Sequence, residues 1–423
     1  MIRISKQLKS AVALLLFFIL GWGFYHDDIF LQTTFLLSLL ILFSFSWALF
    51  SAVGIDVVRK SRYSRQKAGD FFEERIEVIN RSPFWHLLVE ITDLTPEKGF
   101  RASRIISSIG PHQSRLYNSR QYLEKRGMIY LGPFKITTGD PFRFFYKEKK
   151  LERRNRLFVL PYYEDIIPIS FQFGQLSGGI SLQRPSLETT SHAASIREFQ
   201  PGDPLNRIHW PSSMKRNRLI VKEFDQNPQG SVWIFLDAQK DVNVKSSTDP
   251  LEGDVVQWDF KRQRSYELPR DTFEYAVSIT ASMTDFFIRQ GRQVGFCHSG
   301  KQTQLIPAEK GERQMLKILD LLCQVRANGE IPLFPFIESN ITYQNPGNIV
   351  ILITTSKASM LQQLADLIRR KALNPLFIIL NAPSFENNQQ DNEIIQQLEI
   401  KSIPAVDFLY GNSIKNVLKN VIV

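Results

Sequence analysis

Few residues in this chain carry chemistry readily. Its two cysteines, Cys297 and Cys323, cannot build a disulfide framework or a four-thiolate zinc site, and its six scattered histidines offer no H-x-x-x-H spacing. Cys297 and His298 are adjacent, a pairing that elsewhere activates a thiolate, yet neighbours in a strand face opposite sides, so a core cysteine is expected. Gly295 to Lys301 has the G-x-x-x-x-G-K spacing of a phosphate-binding loop. Gln302 stands where a hydroxyl must hold magnesium, however, and Pro307 with the β-like Q-T-Q-L-I replaces the required helix, which predicts a hairpin turn. Asp237 ends an apolar strand at the edge where open α/β sheets bind ligands. Gln239 and Asp241 follow at alternating spacing around Lys240, a thin oxygen set for a hard cation, and a turn-capping role is favoured over a metal at Asp237, Gln239 and Asp241.

The densest cluster of charge is the stretch Ile196 to Phe224, with Arg207, Lys215, Arg216, Arg218 and Lys222 and no acid between Asn206 and Lys222. Pro201-Gly202-Asp203-Pro204 is a turn signature, and Asp203 is placed to cap a helix over L-N-R-I-H-W. A lone Trp makes no stacking platform for nucleic acid. Ile208 and Trp210 are therefore expected to anchor the segment in the core while the cations stay solvated.

The elements that must position these residues fall into contrasting regions. Residues Leu8 to Tyr25 and Ile29 to Ile55 contain acids only in the intervening His26-Asp27-Asp28, and each run is long enough to span a bilayer core, which predicts a tight helical hairpin with Trp22, Tyr25 and Trp47 at interface depth. A cleaved signal peptide is the competing reading, disfavoured because no A-x-A-like site follows and a second span does. Arg3, Lys6 and Lys9 precede the hairpin, and Arg59, Lys60, Arg62, Arg65 and Lys67 follow it. The positive-inside bias thus predicts a two-pass inner (plasma) membrane protein with both termini cytoplasmic, the second basic group lying on anionic lipid.

The remainder is rich enough in core formers, 43% hydrophobic and 12% aromatic over 423 residues, to exclude a disordered chain. The 52 Lys and Arg against 42 Asp and Glu give a net charge of +10, part of which the membrane-flanking cations account for without nucleic acid. Short runs bracketed by Asn80-Arg81-Ser82-Pro83, Gly110-Pro111 and Gly139-Asp140-Pro141 predict an all-β sandwich. From Ser231 onward, apolar strands alternate with helices near 272–291, 311–327 and 357–371, predicting a mostly parallel sheet covered on both faces. The stretch 172–195 reads as an exposed loop and 241–270 as an inserted one. The expected organisation is a transmembrane anchor with a basic juxtamembrane segment (1–67), a β-sandwich (68–165), a linker with a motif (166–230) and an α/β domain (231–423).

The motif carries a resemblance. Arg197, Phe199, Pro201, Gly202, Asp203, Arg207, Ile208, Trp210, Ser213, Leu219, Val221, Glu223 and Phe224 match the signature of the domain of unknown function 58 family of bacterial membrane proteins. Upstream, Arg126-Gly127, Leu131-Gly132-Pro133 and Thr138-Gly139-Asp140-Pro141-Phe142 resemble that family's R-G, L-G-P and D-P-F run. The resemblance implies a von Willebrand factor A-like, Rossmann-type domain after the motif and partnership with AAA+ ATPases of the MoxR class. It implies no established reaction. The metal-ion-dependent adhesion site of such domains begins D-x-S-x-S; Asp237 keeps the first position, Gln239 and Asp241 replace both serines, and a later strand ends Ile353-Thr354-Thr355-Ser356 where the family often has Asp-Gly.

The function expected on these grounds is a non-catalytic, membrane-anchored scaffold that presents a cytoplasmic surface, including Lys215, Arg216 and Arg218, to a MoxR-type ATPase or its client. It is expected to need no cofactor, small-molecule substrate or nucleic acid. A metal-dependent protein-binding domain of a cell-envelope or assembly system is the alternative, and an enzyme or nucleic-acid binder the competing class, disfavoured for want of a nucleophile–base pair or ligand cluster.

Overall fold

The computed structural model describes residues 2–50, 54–61, 63–97, 100, 102–166, 193–200, 208–224, 230–245, 266–342, 344–356, 358–387 and 404–421. The chain divides into two compact units, one built on Met1–Tyr163 and the other mainly on the chain from Glu164 onward.

In the first unit, strand β1 (Ile2–Ile4) leads into helices α1 (Lys6–Tyr25) and α2 (Asp28–Phe50). At 20 and 23 residues they extend about 30 and 35 Å, long and apolar enough to cross a membrane. Ser5 caps α1, His26 closes it in the left-handed conformation (φ 52°), and the Asp27 carboxylate accepts from the Ile29 amide. Gly21 lets the helices close, since a Cβ there would lie 2.6 Å from the Phe30 ring. The second helix ends at Phe50, so Ile55 belongs to the sandwich and not, as expected, to the span.

The strands that follow are β2 (Ile55–Ser61), β3 (Arg65–Lys67), β4 (Phe71–Asn80), β5 (His86–Asp93), β6 (Arg104–Ile109), β7 (Ser114–Tyr122), β8 (Gly127–Leu131), β9 (Phe134–Gly139), β10 (Phe145–Leu151) and β11 (Asn155–Leu160). Sheets in the order β2-β4-β7 and β1-β10-β9-β5-β6 enclose a core of Ile55, Val57, Ile76, Val78, Val89, Ile91, Phe134 and Ile136, the inward positions of alternating strands. A third sheet, β3-β11-β8, has its own core around Phe72, Leu131 and Val159.

This pairing corrects the juxtamembrane expectation. Arg59 and Lys67 are strand residues, and the Arg59 side chain is only 5% exposed, with Glu74 at 3.0 Å, Asp93 at 2.5 Å and the Phe134 ring beneath it. Two acids thus share one guanidinium. Asp93 also accepts from Thr95, whereas neither oxygen of Glu74 accepts a directed hydrogen bond among the described residues. Burial therefore dominates, and Arg59 offsets it only in part, so the Glu74 carboxyl is pushed up to about 7.

In the second unit, β12 (Ala193–Glu198) pairs with β13 (Ile220–Phe224) around helix α3 (Trp210–Arg216). The main sheet comprises β14 (Val232–Leu236), β15 (Val294–His298), β16 (Gln304–Glu309), β17 (Ile349–Thr354), β18 (Asn374–Leu380) and β19 (Ala405–Phe408) in the order β16-β15-β14-β17-β18-β19. It is parallel except for β16. Helices α4 (Thr272–Arg289), α5 (Glu312–Gln324), α6 (Leu333–Ile341), α7 (Ala358–Arg370), α8 (Ala382–Asn387) and α9 (Ile414–Val421) accompany it. The expected mostly parallel α/β sheet is present. α6 was not among the expected helices; its Pro332 and Pro335 fall at the cap and in the first turn, where no donor is lost. Residues 193–198 form a strand where the end of a loop was expected; 167–192 and most of the 241–270 insertion lie outside the described residues.

Candidate functional site

Strand order reverses at β14, which has β15 on one side and β17 on the other, and the crevice at the carboxyl ends of such strands is where ligands settle in open sheets. Asp237 stands there, only 1% exposed. One carboxylate oxygen accepts from the Gln239 amide (3.0 Å) and the Ser299 hydroxyl (3.3 Å), the other from Thr354 (2.7 Å) and Ser356 (3.2 Å). Burial raises its pKa, and these four hydrogen bonds oppose that rise. The contact to its own Gln239 amide is the turn-capping role foreseen in the sequence. Ser299 was not singled out, and Thr354 and Ser356 were noted only as part of the strand end that replaces the family's Asp-Gly; their signal is a hydroxyl at or just beyond the carboxyl end of each apolar strand that flanks β14.

Gln239 is half-buried, bridged to Gly329 through its backbone, and Asp241 is exposed on the turn. They do not join Asp237 in a ligand shell, and no cluster of three or more His, Cys, Asp or Glu suits a metal among the described residues. The structure thus turns Asp237 inward onto neutral hydroxyls that complete its hydrogen bonding.

The decoys resolve locally. Val294–His298 runs through a short turn into antiparallel β16, the hairpin expected of Gly295–Lys301. Cys297 packs in the core beside Phe235 and Leu352, its thiol pushed up to about 12 by burial. His298 is buried on the opposite face, its Nδ1 accepting from the Gly300 amide, and burial lowers its pKa to about 4, so it stays neutral near pH 7.

The motif behaves otherwise. Pro201, Gly202, Asp203 and Arg207 lie outside the described residues, and Arg197, Lys222, Glu223 and Phe224 are described as strand backbone only. Phe199 donates its amide to the Leu219 carbonyl. Helix α3 begins at Trp210, not at Leu205, with His209 as cap and Pro211 in its first turn. Ser213 fastens it, donating to the His209 carbonyl (3.1 Å) and accepting from the Ile220 amide (2.9 Å). Ile208 is buried as expected and pairs with Val221.

Trp210 is not buried. It is 60% exposed and Met214, one turn later, 82%. Ser213, through its hydrogen bonds, and Ile208, through its bridge to Val221, fasten the segment to the strand pair, while Trp210 in the first turn and Met214 four residues on lie side by side on the stripe left to solvent. Lys215 and Arg216 are exposed in the last turn, where they complement the helix dipole, and Arg218 pairs with Glu198 at the surface. The sequence reading missed this apolar pair bordered by cations because it treated Trp210 as core.

No family model matches the chain. Among solved structures, a CARDB domain from Pyrococcus furiosus aligns at 11% identity over 25% of this chain and 94% of its own, with a TM-score of 0.19. The C-terminal domain of wzt aligns at 15% identity over 25% of this chain and 73% of its own, also at 0.19. Similarity that low carries no argument. The sequence comparison does establish kinship: the chain is a distant relative of the uncharacterized protein YeaD of Bacillus subtilis (strain 168), 23% identical over 305 residues, 69% of this chain and 68% of that protein.

Proposed function

We propose that this protein is a membrane-anchored, non-catalytic scaffold whose helix α3 presents Trp210 and Met214, ringed by Lys215, Arg216 and Arg218, to an acidic surface on a partner. The exposed Trp210–Met214 pair carries this reading, because a large apolar pair beside cations is the composition of an interface centre and its rim. The resemblance to the domain of unknown function 58 family supplies the partner class, a MoxR-type AAA+ ATPase or its client. In support of a binding role, Asp237, Cys297 and His298 are each committed to burial or to local hydrogen bonds.

The anchor is α1 and α2 crossing the inner membrane as a hairpin, with both termini in the cytoplasm, as the flanking basic residues favour. A cysteine at Asp27 should then react with membrane-impermeant reagents in intact cells, and one at exposed Lys301 should not. Labelling at Lys301→Cys alone would reverse the orientation.

Reversing Lys215, Arg216 and Arg218 together to Glu should abolish co-purification of the ATPase from detergent extracts while the Tm stays put, since exposed charges contribute little to stability. Co-purification at wild-type level would remove α3 from the interface.

A further inference from the structure

The sandwich carries a second exposed apolar surface, on the loops beside the helix ends. Phe84 is 46% exposed, Trp85 55%, Leu88 37% and Phe142 45%. These side chains are held rigidly outward. In the β4–β5 loop, Asn80 donates to the Phe84 and Gly110 carbonyls (both 2.8 Å), Ser82 meets His86 at 2.8 Å, and Arg81 donates its amide to Gly54. With its polar groups satisfied inward, the loop turns Phe84 and Trp85 out. In the β9–β10 loop the Asp140 carboxylate accepts from the Phe142 and Phe145 amides (3.0 and 2.7 Å) and fixes Phe142 in the same manner. Leu88 and Arg143 both hold positive φ, 51° and 57°, a conformation that is strained for side chains of this size.

The two loops that carry this surface are tied to where α1 begins and α2 ends. The Phe84 ring lies 5.1 Å from that of Phe50, the last residue of α2, and Phe145 lies 5.4 Å from Phe45. Ser5, the cap of α1, donates its amide to the Phe144 carbonyl, and Lys147 donates to the Leu49 carbonyl (2.7 Å). Lys6, Lys135 and Arg143 border a cleft of about 400 Å³ alongside Leu88, with Glu148 and Glu90 beside Lys135 and Arg143 at 3.4 and 3.9 Å.

We propose that Phe84, Trp85, Leu88 and Phe142 form a rim by which the sandwich rests in the headgroup–hydrocarbon boundary of the bilayer. The apolar surface of the helices continues onto the rim without a polar break at Phe50–Phe84. Aromatic side chains flanked by Lys and Arg suit that boundary, the cations reaching phosphates while the rings sit below them. The rim fixes the sandwich's orientation on the membrane. This inference rests on the reading of α1 and α2 as spans.

The test uses the full chain in phosphatidylcholine vesicles, with a single introduced cysteine carrying an environment-sensitive dye. Native Cys297 and Cys323 are buried, their thiols raised to about 12 and about 11, so labelling near neutral pH selects the introduced site. Trp85→Cys and Phe142→Cys probe the rim, and Leu39→Cys, exposed midway along α2, probes the span. Arg120→Cys is the aqueous control, six residues along β7 from the Ser114 end that lies beside the Asn80 loop, or about 20 Å. With nitroxide on the upper acyl chain for sites 85, 142 and 120, and near the end of the acyl chain for site 39, dye at 85 and at 142 should blue-shift and lose about half its emission, as expected for a group about 5–10 Å into the boundary, dye at 39 should be quenched, and dye at 120 should neither shift nor be quenched. Quenching of Leu39 without quenching at 85 and 142 would sink the rim and leave the anchor standing. A blue shift at 85 without quenching would mean protein covers it, and quenching at 120 equal to that at 85 would deny the rim any special place; either overturns the proposal. No quenching at Leu39 would remove the spans and the rim together.

Discussion

Asp237 and Trp210 sit in the same unit and behave oppositely. Asp237, the residue most like a metal ligand by type and position, is 1% exposed and spends both oxygens on four protein donors. Trp210, the residue most like a core anchor by type, is 60% exposed on a helix whose inner face belongs to Ser213. Side-chain chemistry says what a residue is able to do; the phase of its element and the groups that reach it decide which of those things it does.

Breaking the first half of that contrast should have the largest effect. Asp237→Ala leaves three hydroxyls and an amide without their acceptor, and with each unmet buried donor costing about 1–3 kcal/mol, a loss of about 3–5 kcal/mol is expected after some hydroxyls re-pair. Asp237→Asn, which keeps an acceptor on one side, should lose less. Thermal melting of the full chain in detergent measures both. Millimolar magnesium or manganese should leave the wild-type Tm unmoved; a rise that Asp237→Ala abolishes would reinstate a cation site.

Glu74 sharpens the comparison because it is a buried acid without Asp237's donors. Its folded pKa, about 7, lies above the ordinary value of 4.5, so the folded state holds a proton that the unfolded chain releases between those values. The contribution to stability is full below pH 4.5 and is lost as pH rises through about 7, of the order of 3 kcal/mol across that window. Glu74→Gln should flatten the dependence of Tm on pH between 5 and 7.5, whereas an unchanged slope would mean that Glu74 does not carry the titration.

The smallest effect on stability belongs to the other half of the contrast. Trp210→Ala should shift stability by less than about 1 kcal/mol, since the ring leaves water only in part, while partner affinity falls roughly 10- to 100-fold as for an interface anchor. A loss of several kcal/mol in the isolated protein would restore Trp210 to the core.

The cation clusters illustrate how far linear reading reaches. Lys215 and Arg216 were legible as solvated, because a charged run at the end of a short helix has nowhere else to go. Arg59 was not: it reads as part of a basic flank, and only the β2–β4 register places it opposite Ile76, two pairs from Glu74 opposite Ser61. Glu74 itself occupies an inward position of the alternation Phe72, Glu74, Ile76, Val78, but a charge in that series is normally read as a break in the core face.

By itself the sequence determined the apolar hairpin, the change from strand-rich to alternating α/β pattern near residue 231, and the hairpin turn at Gly295–Lys301, because periodicity, span length and turn chemistry are local and need no partner. Only the tertiary structure decided that Ser299 and Thr354 meet at Asp237, that Arg59 lies between Glu74 and Asp93, and that Trp210 faces out. The first two depend on strands far apart in sequence pairing in one register, which a shift of one residue would undo, and the third on the hydrogen bonds by which Ser213 fastens α3 to its neighbours.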